Sequence, residues 1–516
     1  MPLEEKILAA FSNPGFYPHE VRTIRRVETH TAWVFLTGER AYKIKKPVNF
    51  GFLDFSTLDR RKTFCEREVQ LNSEISDLYL GVEPITMDEK DNLKLGENGE
   101  VVEYAVVMKE LPQEAMMSHL LAEDKVGYGV IDKLAKETAR FHRKARTSDE
   151  ITKEGSLDSV RFNWEENFSQ TEDVKDVTIS SEDFRFIRER IERFLREKEP
   201  AFRKRERDGY IRYCHGDLHS GNIFVHKGKI HIFDRIEFNL RFACSDTAAD
   251  LAFMTMDLDF HRKRNLSDFL LDRYLDHTAD YELLRFHDFF RCYRAYVRGK
   301  VIGFQLAQNP ADPEAIKSRA RAYFDLAKLY ASTLSSKPQL IVSYGLPGTG
   351  KSLMASRTRN WTNAIHIRSD IVRRLLAGAS LDEHHYASFG KDLYSSEMSN
   401  RVYEALKDKA RTYLAQNQSL IIDATYSKQK ERAELKEVGE KLEAEVHFIR
   451  CEAPDEKVRE WIEQRKTSDK QSDATWEIYS KMKDKFEPEG KLPYHALRTG
   501  RDPREMDADV RRFLSR

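Results

Sequence analysis

Residues 340–352 leave this chain little freedom in its local structure. The apolar run Leu340-Ile341-Val342-Ser343-Tyr344 has the length of a strand and leads straight into Gly345-Leu346-Pro347-Gly348-Thr349-Gly350-Lys351-Ser352. Glycines at 345, 348 and 350 open backbone angles that a Cβ would close, so the N–H groups of this loop can turn inward around an anion before a helix starts. The spacing satisfies G-x-x-x-x-G-K-S/T between a predicted strand and a predicted helix, the context that makes the pattern specific.

The residue types then indicate the chemistry. Gly345, Gly348, Thr349 and Gly350 are expected to cradle the phosphates of a nucleoside triphosphate, with Lys351 reaching the terminal phosphates and Ser352 contacting magnesium. Asp423, at the end of Leu420-Ile421-Ile422, is expected to help hold the same ion. In Ile367-Arg368-Ser369-Asp370-Ile371-Val372-Arg373, Asp370 and Arg373 share one face at a predicted strand-to-helix junction, on the sheet edge where such folds bind ligands. A carboxylate there can accept the proton of an acceptor hydroxyl.

A second constellation lies upstream, in His215-Gly216-Asp217-Leu218-His219-Ser220-Gly221-Asn222 followed by Ile230-His231-Ile232-Phe233-Asp234. Kinase-type phosphoryl transfer needs a carboxylate to orient the acceptor hydroxyl and an Asn and an Asp to hold magnesium. Asp217, Asn222 and Asp234 supply these at the required spacing. His219 is expected to brace the loop, since a lone histidine without a partner makes a poor ligand.

Two such sites suit the length, because 516 residues exceed what one hydrophobic core organises. With 86 basic and 86 acidic side chains no overall field draws the chain to nucleic acid or to an anionic membrane. The basic run Arg203-Lys204-Arg205-Glu206-Arg207 is interrupted by acid and reads as a solvated face. Cys65, Cys214, Cys244, Cys292 and Cys451 form no C-x-x-C pair, which suits a reducing cytoplasm, and neither a signal peptide nor a membrane-length apolar run is found.

Along the chain, Trp33–Leu36 and Ala41–Lys45 read as two strands about the turn Thr37-Gly38-Glu39-Arg40, followed by a helix containing Phe64, Val69 and Leu71 and by a strand at Val101–Met108. Residues 115–205 and 247–334 look mainly helical. The last helix starts with Asp312 as N-cap and Pro313 at its first position and ends before Ser335-Ser336-Lys337-Pro338, where the domain boundary is expected. Beyond it, strand candidates at Ala364–Ile367, Leu420–Ile422 and Val446–Ile449 alternate with helices, which argues for a parallel sheet.

The carboxyl-terminal pattern, over about residues 338–490, resembles small P-loop kinases of the polynucleotide-kinase, zeta-toxin and chloramphenicol-phosphotransferase type. The resemblance implies that Asp370 is the general base and Arg373 a substrate contact. It also implies that Val458–Lys466 is a lid helix in which Arg465 neutralises charge on the transferred group, although Trp461 stands where relatives carry a further arginine. The amino-terminal pattern, over about residues 25–330, resembles the aminoglycoside and choline phosphotransferase group. It implies a phosphate-binding lysine at Lys43 and a helix partner at Glu68; Lys45 shares the strand parity of Lys43, and Glu66 is close to Glu68, so both alternatives stay open. The order of the two halves resembles bacterial proteins described as bifunctional aminoglycoside phosphotransferase and ATP-binding proteins.

These readings imply a two-domain chain: a protein-kinase-like domain over 1–335, with an N-lobe to about 112 and a helical C-lobe, and an α/β P-loop domain over 336–516. The expected function is ATP- and Mg2+-dependent transfer of a phosphoryl group to hydroxyls of small molecules in the cytoplasm, without membrane attachment and with polynucleotides disfavoured. Alternatives are that one domain only senses ATP, or that the P-loop domain acts on a nucleic-acid 5′ end or a nucleotide sugar.

Overall fold

The computed structural model describes residues 2–515 apart from 52, 97–98, 309, 335, 382–394 and 466–474. The chain forms two compact units, one of residues 1–126, 137–163 and 199–257, the other of residues 127–136, 164–198 and 258–516. The second unit therefore joins the helices of residues 258–334 with the glycine-loop region.

The first unit opens with a six-stranded antiparallel sheet whose strands are β1 (Arg25–Glu28), β2 (Ala32–Leu36), β3 (Arg40–Lys45), β4 (Tyr79–Met87), β5 (Leu93–Leu95) and β6 (Glu100–Lys109), in spatial order β1-β2-β3-β6-β4-β5. The expected hairpin is present, with Trp33 opposite Ile44 and Phe35 opposite Tyr42. Side chains alternate across β3. Tyr42 and Ile44 join Ile7, Phe11 and Phe35 in one apolar core, while Lys43 and Lys45 reach Glu68 of the helix Leu58–Asn72. Two further strand pairs belong to this unit: β7 (Ile211–Tyr213) pairs with β10 (Cys244–Asp246), and β8 (Ile223–His226) with β9 (Lys229–Ile232). The segment 214–222 connects β7 to β8.

In the second unit, β11 (Gln339–Tyr344), β12 (Ile365–Arg368), β13 (Leu420–Asp423), β14 (Glu445–Glu452) and β15 (His495–Arg498) form an all-parallel sheet in the order β12-β13-β11-β14-β15. The continuous apolar run of β11 matches its central place, since a parallel strand is covered on both faces. Sequence periodicity had not marked β15, which is short and half polar. The helix Pro313–Thr333 begins as expected, with the Asp312 carboxylate accepting from Ala315 N–H at 3.0 Å. Trp164 is core, packed against Phe168, Phe289, Tyr293 and Tyr296. Among the described residues, no helix is long and apolar enough to cross a membrane.

Candidate functional site

In the first unit the chain of charges begins on β3. Lys43 Nζ donates to Glu68 Oε1 at 2.9 Å and to Asp234 Oδ1 at 2.6 Å. Lys45 Nζ, two residues on and facing the same way, donates to Glu68 Oε2 at 2.6 Å and to Glu237 Oε1 at 2.5 Å. Both lysines thus meet Glu68, but only Lys43 meets Asp234, whose side chain is 42% exposed, whereas Lys45 and Glu237 are buried. Burial pushes the Glu68 carboxyl up, yet the two ammonium groups outweigh it and hold it below its ordinary value. Burial raises Glu237, which has one lysine to share with Glu68.

The helix Leu58–Asn72 is tied to the segment after β9 by further contacts. Asn72 Oδ1 accepts from Arg235 N–H at 2.9 Å, and the buried Arg235 guanidinium donates to Leu71 O at 3.3 Å, Glu74 at 2.8 Å and Cys214 O at 3.0 Å. Glu68 and Asp234 are held together by backbone as well as by charge.

The loop 214–222 turns sharply at Gly216, where φ is +83° and a Cβ would lie 2.8 Å from Phe242 O. Asp250 holds this turn from below, accepting from His215 N–H at 3.0 Å, Gly216 N–H at 2.9 Å and His142 Nε2 at 3.0 Å, and Asp257 accepts from Ser220 N–H at 2.9 Å. With its carboxylate spent on these donors, the buried cluster His142, Cys214 and Asp250 is a brace; the Cys214 thiol donates to Ser245 O. His215 Nε2–H donates to Phe233 O at 2.9 Å, and Phe233 N–H donates to Asn222 O at 3.1 Å, so the loop and the approach to Asp234 form one assembly.

Within it, Asn222 Nδ2 donates to Asp217 Oδ2 at 3.1 Å, which leaves the amide oxygen for another partner. His219 Nδ1 accepts from Gly221 N–H at 3.0 Å, so its Nε2 carries the proton that faces Asp217 Oδ2 at 3.3 Å. The histidine orients the carboxylate. In the basic run near residue 205, Arg203 pairs with Asp158 and Lys204 with Asp208, while Arg205, expected on a solvated face, is buried against Asp246.

In the second unit Gly345, Gly348 and Gly350 have φ of +139°, +81° and +87° between β11 and the helix Lys351–Thr362. A Cβ on Gly345 would meet Cys451 O at 2.6 Å. The loop is held by Thr349 Oγ1 donating to Leu346 O and by Thr499 Oγ1 donating to Thr349 O, both at 2.8 Å. Lys351 Nζ folds back onto Leu346 O at 2.9 Å, within the loop it is expected to serve. Ser352 follows in the first helical turn.

Asp423 ends β13, next to the loop strand. Burial pushes its carboxyl up, but His366, Lys351 and Arg368 outweigh it and bring it down to about 2. Asp370 opens the helix Ser369–Ala377, and burial together with Asp423 raises its carboxyl above the ordinary range. A carboxylate raised in this way is the better proton acceptor. Arg373, one turn later, is buried and reaches Ser399 Oγ at 3.4 Å. Arg465 is the last residue of the helix Asp455–Arg465, and its side chain lies outside the described residues.

The donor sets in both units suit a hard dication: a carboxylate and an amide oxygen at Asp234 and Asn222, and a hydroxyl with a firmly ionised acid at Ser352 and Asp423. Sequence reasoning singled out neither Glu237 nor His366. No local pattern marks either, since Glu237 lies 192 residues from Lys45 and His366 98 residues from Asp268.

Residues 60–287 match the phosphotransferase enzyme family and residues 340–489 an AAA domain. Uncharacterized protein Rv2004c of Mycobacterium tuberculosis and uncharacterized protein Mb2027c of Mycobacterium bovis are each 30% identical over 452 residues, covering 87% of this chain and 88% of theirs. Among solved structures, a choline/ethanolamine kinase family protein from Mesorhizobium loti is 12% identical over 63% of this chain and 99% of its own, with a TM-score of 0.38. The Mycobacterium tuberculosis APS kinase CysC, solved with AMPPNP and APS, is 19% identical over 35% of this chain and 99% of its own, with a TM-score of 0.26.

Proposed function

The chain belongs to the family of the mycobacterial proteins Rv2004c and Mb2027c and carries two kinase-type domains, and on that premise we propose that it is an ATP- and Mg2+-dependent phosphotransferase with two nucleotide sites. The acceptors we assign are hydroxyl groups of small molecules. The observation that carries the reading is the contact of Lys43 with both Glu68 and Asp234, beside a loop in which Asn222 holds Asp217.

In the first site Lys43 would exchange Asp234 for nucleotide phosphate while keeping Glu68. Asp234 and the amide oxygen of Asn222 would hold the cation, and Asp217, aimed by His219 and Asn222, would orient the acceptor hydroxyl. In the second, the loop 345–350 would cradle the phosphates, Lys351 would leave Leu346 O for them, and Ser352 with Asp423 would hold the cation. Asp370 would take the acceptor proton and Arg373 would contact the acceptor, with Arg465 assigned to the transferred group. Magnesium, when bound, neutralises phosphate charge and orients the transferred group. The division at residues 335/336 between the two catalytic folds belongs to the same proposal.

The test is a mass-spectrometric search of cell extract incubated with the protein and ATP, for metabolites that gain the mass of one phosphate. Asp217→Asn and Lys351→Ala are expected to remove different products. A single substitution that removes every product contradicts two independent centres.

A further inference from the structure

The P-loop helix is held at its far end by residues from well outside the match at 340–489. Arg359, fully buried on the helix Lys351–Thr362, donates to Asp268 through Nη2 at 2.7 Å and Nε at 3.0 Å, and its Nη2 lies 3.5 Å from Asp259. Asp268 belongs to the helix Arg264–Thr278, within the phosphotransferase match. The surroundings are equally committed: Asp259 also takes Arg291 at 3.0 Å and Tyr330 Oη at 2.7 Å, and Asn363 Nδ2 donates to Asp288 at 2.9 Å. Buried charges persist only when paired in this way, and removing one partner strands the other.

Asp268 has a second task. Its Oδ2 accepts the backbone N–H of His366 at 3.0 Å, which fixes the middle of β12 against the same carboxylate that holds the P-loop helix. The His366 imidazole is buried between two polar groups, with Nδ1 3.4 Å from Asn265 Oδ1 and Nε2 3.6 Å from Asp423 Oδ2. At 3.6 Å the second contact is a close polar approach, longer than a hydrogen bond. In the sheet, His366 stands opposite Ile421, two residues before Asp423 on β13.

We propose that His366 is a positioning residue for Asp423, and through it for the cation of the P-loop site, and that Asp268 of the helix Arg264–Thr278 holds His366 in place. The inference rests on the reading of residues 345–352 and Asp423 as a nucleotide and cation site. A carboxylate that is to meet a dication gains from a neighbour that restricts its rotamer, and losing such a neighbour costs metal affinity without dismantling the nucleotide cradle. It follows that part of the P-loop site is built by a helix outside the AAA-domain match at residues 340–489.

The experiment uses the full chain carrying Lys43→Met, so that ATP binding measured by calorimetry reports the P-loop site. Binding is followed in EDTA and across a magnesium titration. His366→Leu is expected to raise the magnesium concentration at half-effect by about tenfold or more while the affinity for ATP in EDTA stays unchanged. Asp268→Asn is expected to shift it in the same direction but less, since its amide oxygen can still accept the His366 N–H. If His366→Leu does not fold, His366→Gln, which keeps a polar side chain, takes its place with the same expectation. An unchanged magnesium midpoint, or an equal loss with and without magnesium, overturns the proposal. Lys351→Ala in the same background separates the two levels: if ATP binding survives it, the nucleotide reading of the loop has failed, whatever His366 does.

Discussion

Lys45 donates to Glu237 across 2.5 Å, and both side chains are buried behind the pair formed by Lys43 and Glu68. The two lysines of β3 therefore divide their work. Lys43 faces a half-exposed acid and can turn to a ligand, while Lys45 spans two buried carboxylates. Lys45→Met should cost about 3–5 kcal/mol of stability, because two buried acids lose their shared cation. Lys43→Met should leave stability closer to wild type and remove ATP turnover at this site. Urea unfolding beside an ATP-consumption assay checks the split, and the reverse assignment would refute it.

The same cluster predicts a pH dependence. Glu68 lies below its ordinary value of 4.5 in the folded protein, so its stabilising contribution is complete above 4.5 and is lost as pH falls below it toward the folded value. Glu237, raised by burial, works in the opposite direction, so substitution at Glu68 isolates its own share. Glu68→Gln should lower stability at pH 7 and flatten the decline between pH 5 and pH 3, about the range of carboxylate titration. Denaturant unfolding at several pH values measures this; parallel curves for both proteins would count against it.

Gly216→Ala tests the turn at the catalytic loop. The left-handed backbone and the approach of Phe242 O at 2.8 Å leave no room for a methyl group, and the strain is expected to cost about 1–3 kcal/mol. A loop displaced by this much should lose on the order of 10²-fold in Asp217-dependent turnover. Turnover that depends on Lys351 should persist.

Residues 336–516 expressed alone should lack a cooperative thermal transition. That fragment keeps Arg359, Lys409 and Tyr413 but discards their partners Asp259, Asp268 and Asp272. Circular dichroism melts of the fragment and the full chain make the comparison. A sharp melt of the fragment would show that the buried pairs are dispensable.

The geometry of the glycine loop and of the loop 214–222 was legible because it is local: Gly345 to Ser352 and His215 to Asn222 each lie within a short stretch of chain, so residue type and spacing suffice. The hairpin at Trp33–Lys45 and the helix opening at Asp312 were legible for the same reason. The choice between Lys43 and Lys45 was not, since parity sends both to one face and their acceptors lie 191 and 192 residues away. His366 carried no signal at all: its meaning comes from Asp268, 98 residues earlier, and from Asp423 on the neighbouring strand.

Sequence by itself thus determined that two kinase-type domains exist here and that a glycine-rich turn at residues 345–350 joins a strand of a parallel sheet to a helix. Only the tertiary structure decided which lysine reaches the part-exposed Asp234, which carboxylates are buried in pairs, and that a helix from the phosphotransferase match anchors the P-loop helix. The physical reason is that backbone geometry is written in neighbours along the chain, whereas the ionisation and orientation of a buried group depend on partners that only folding brings within reach.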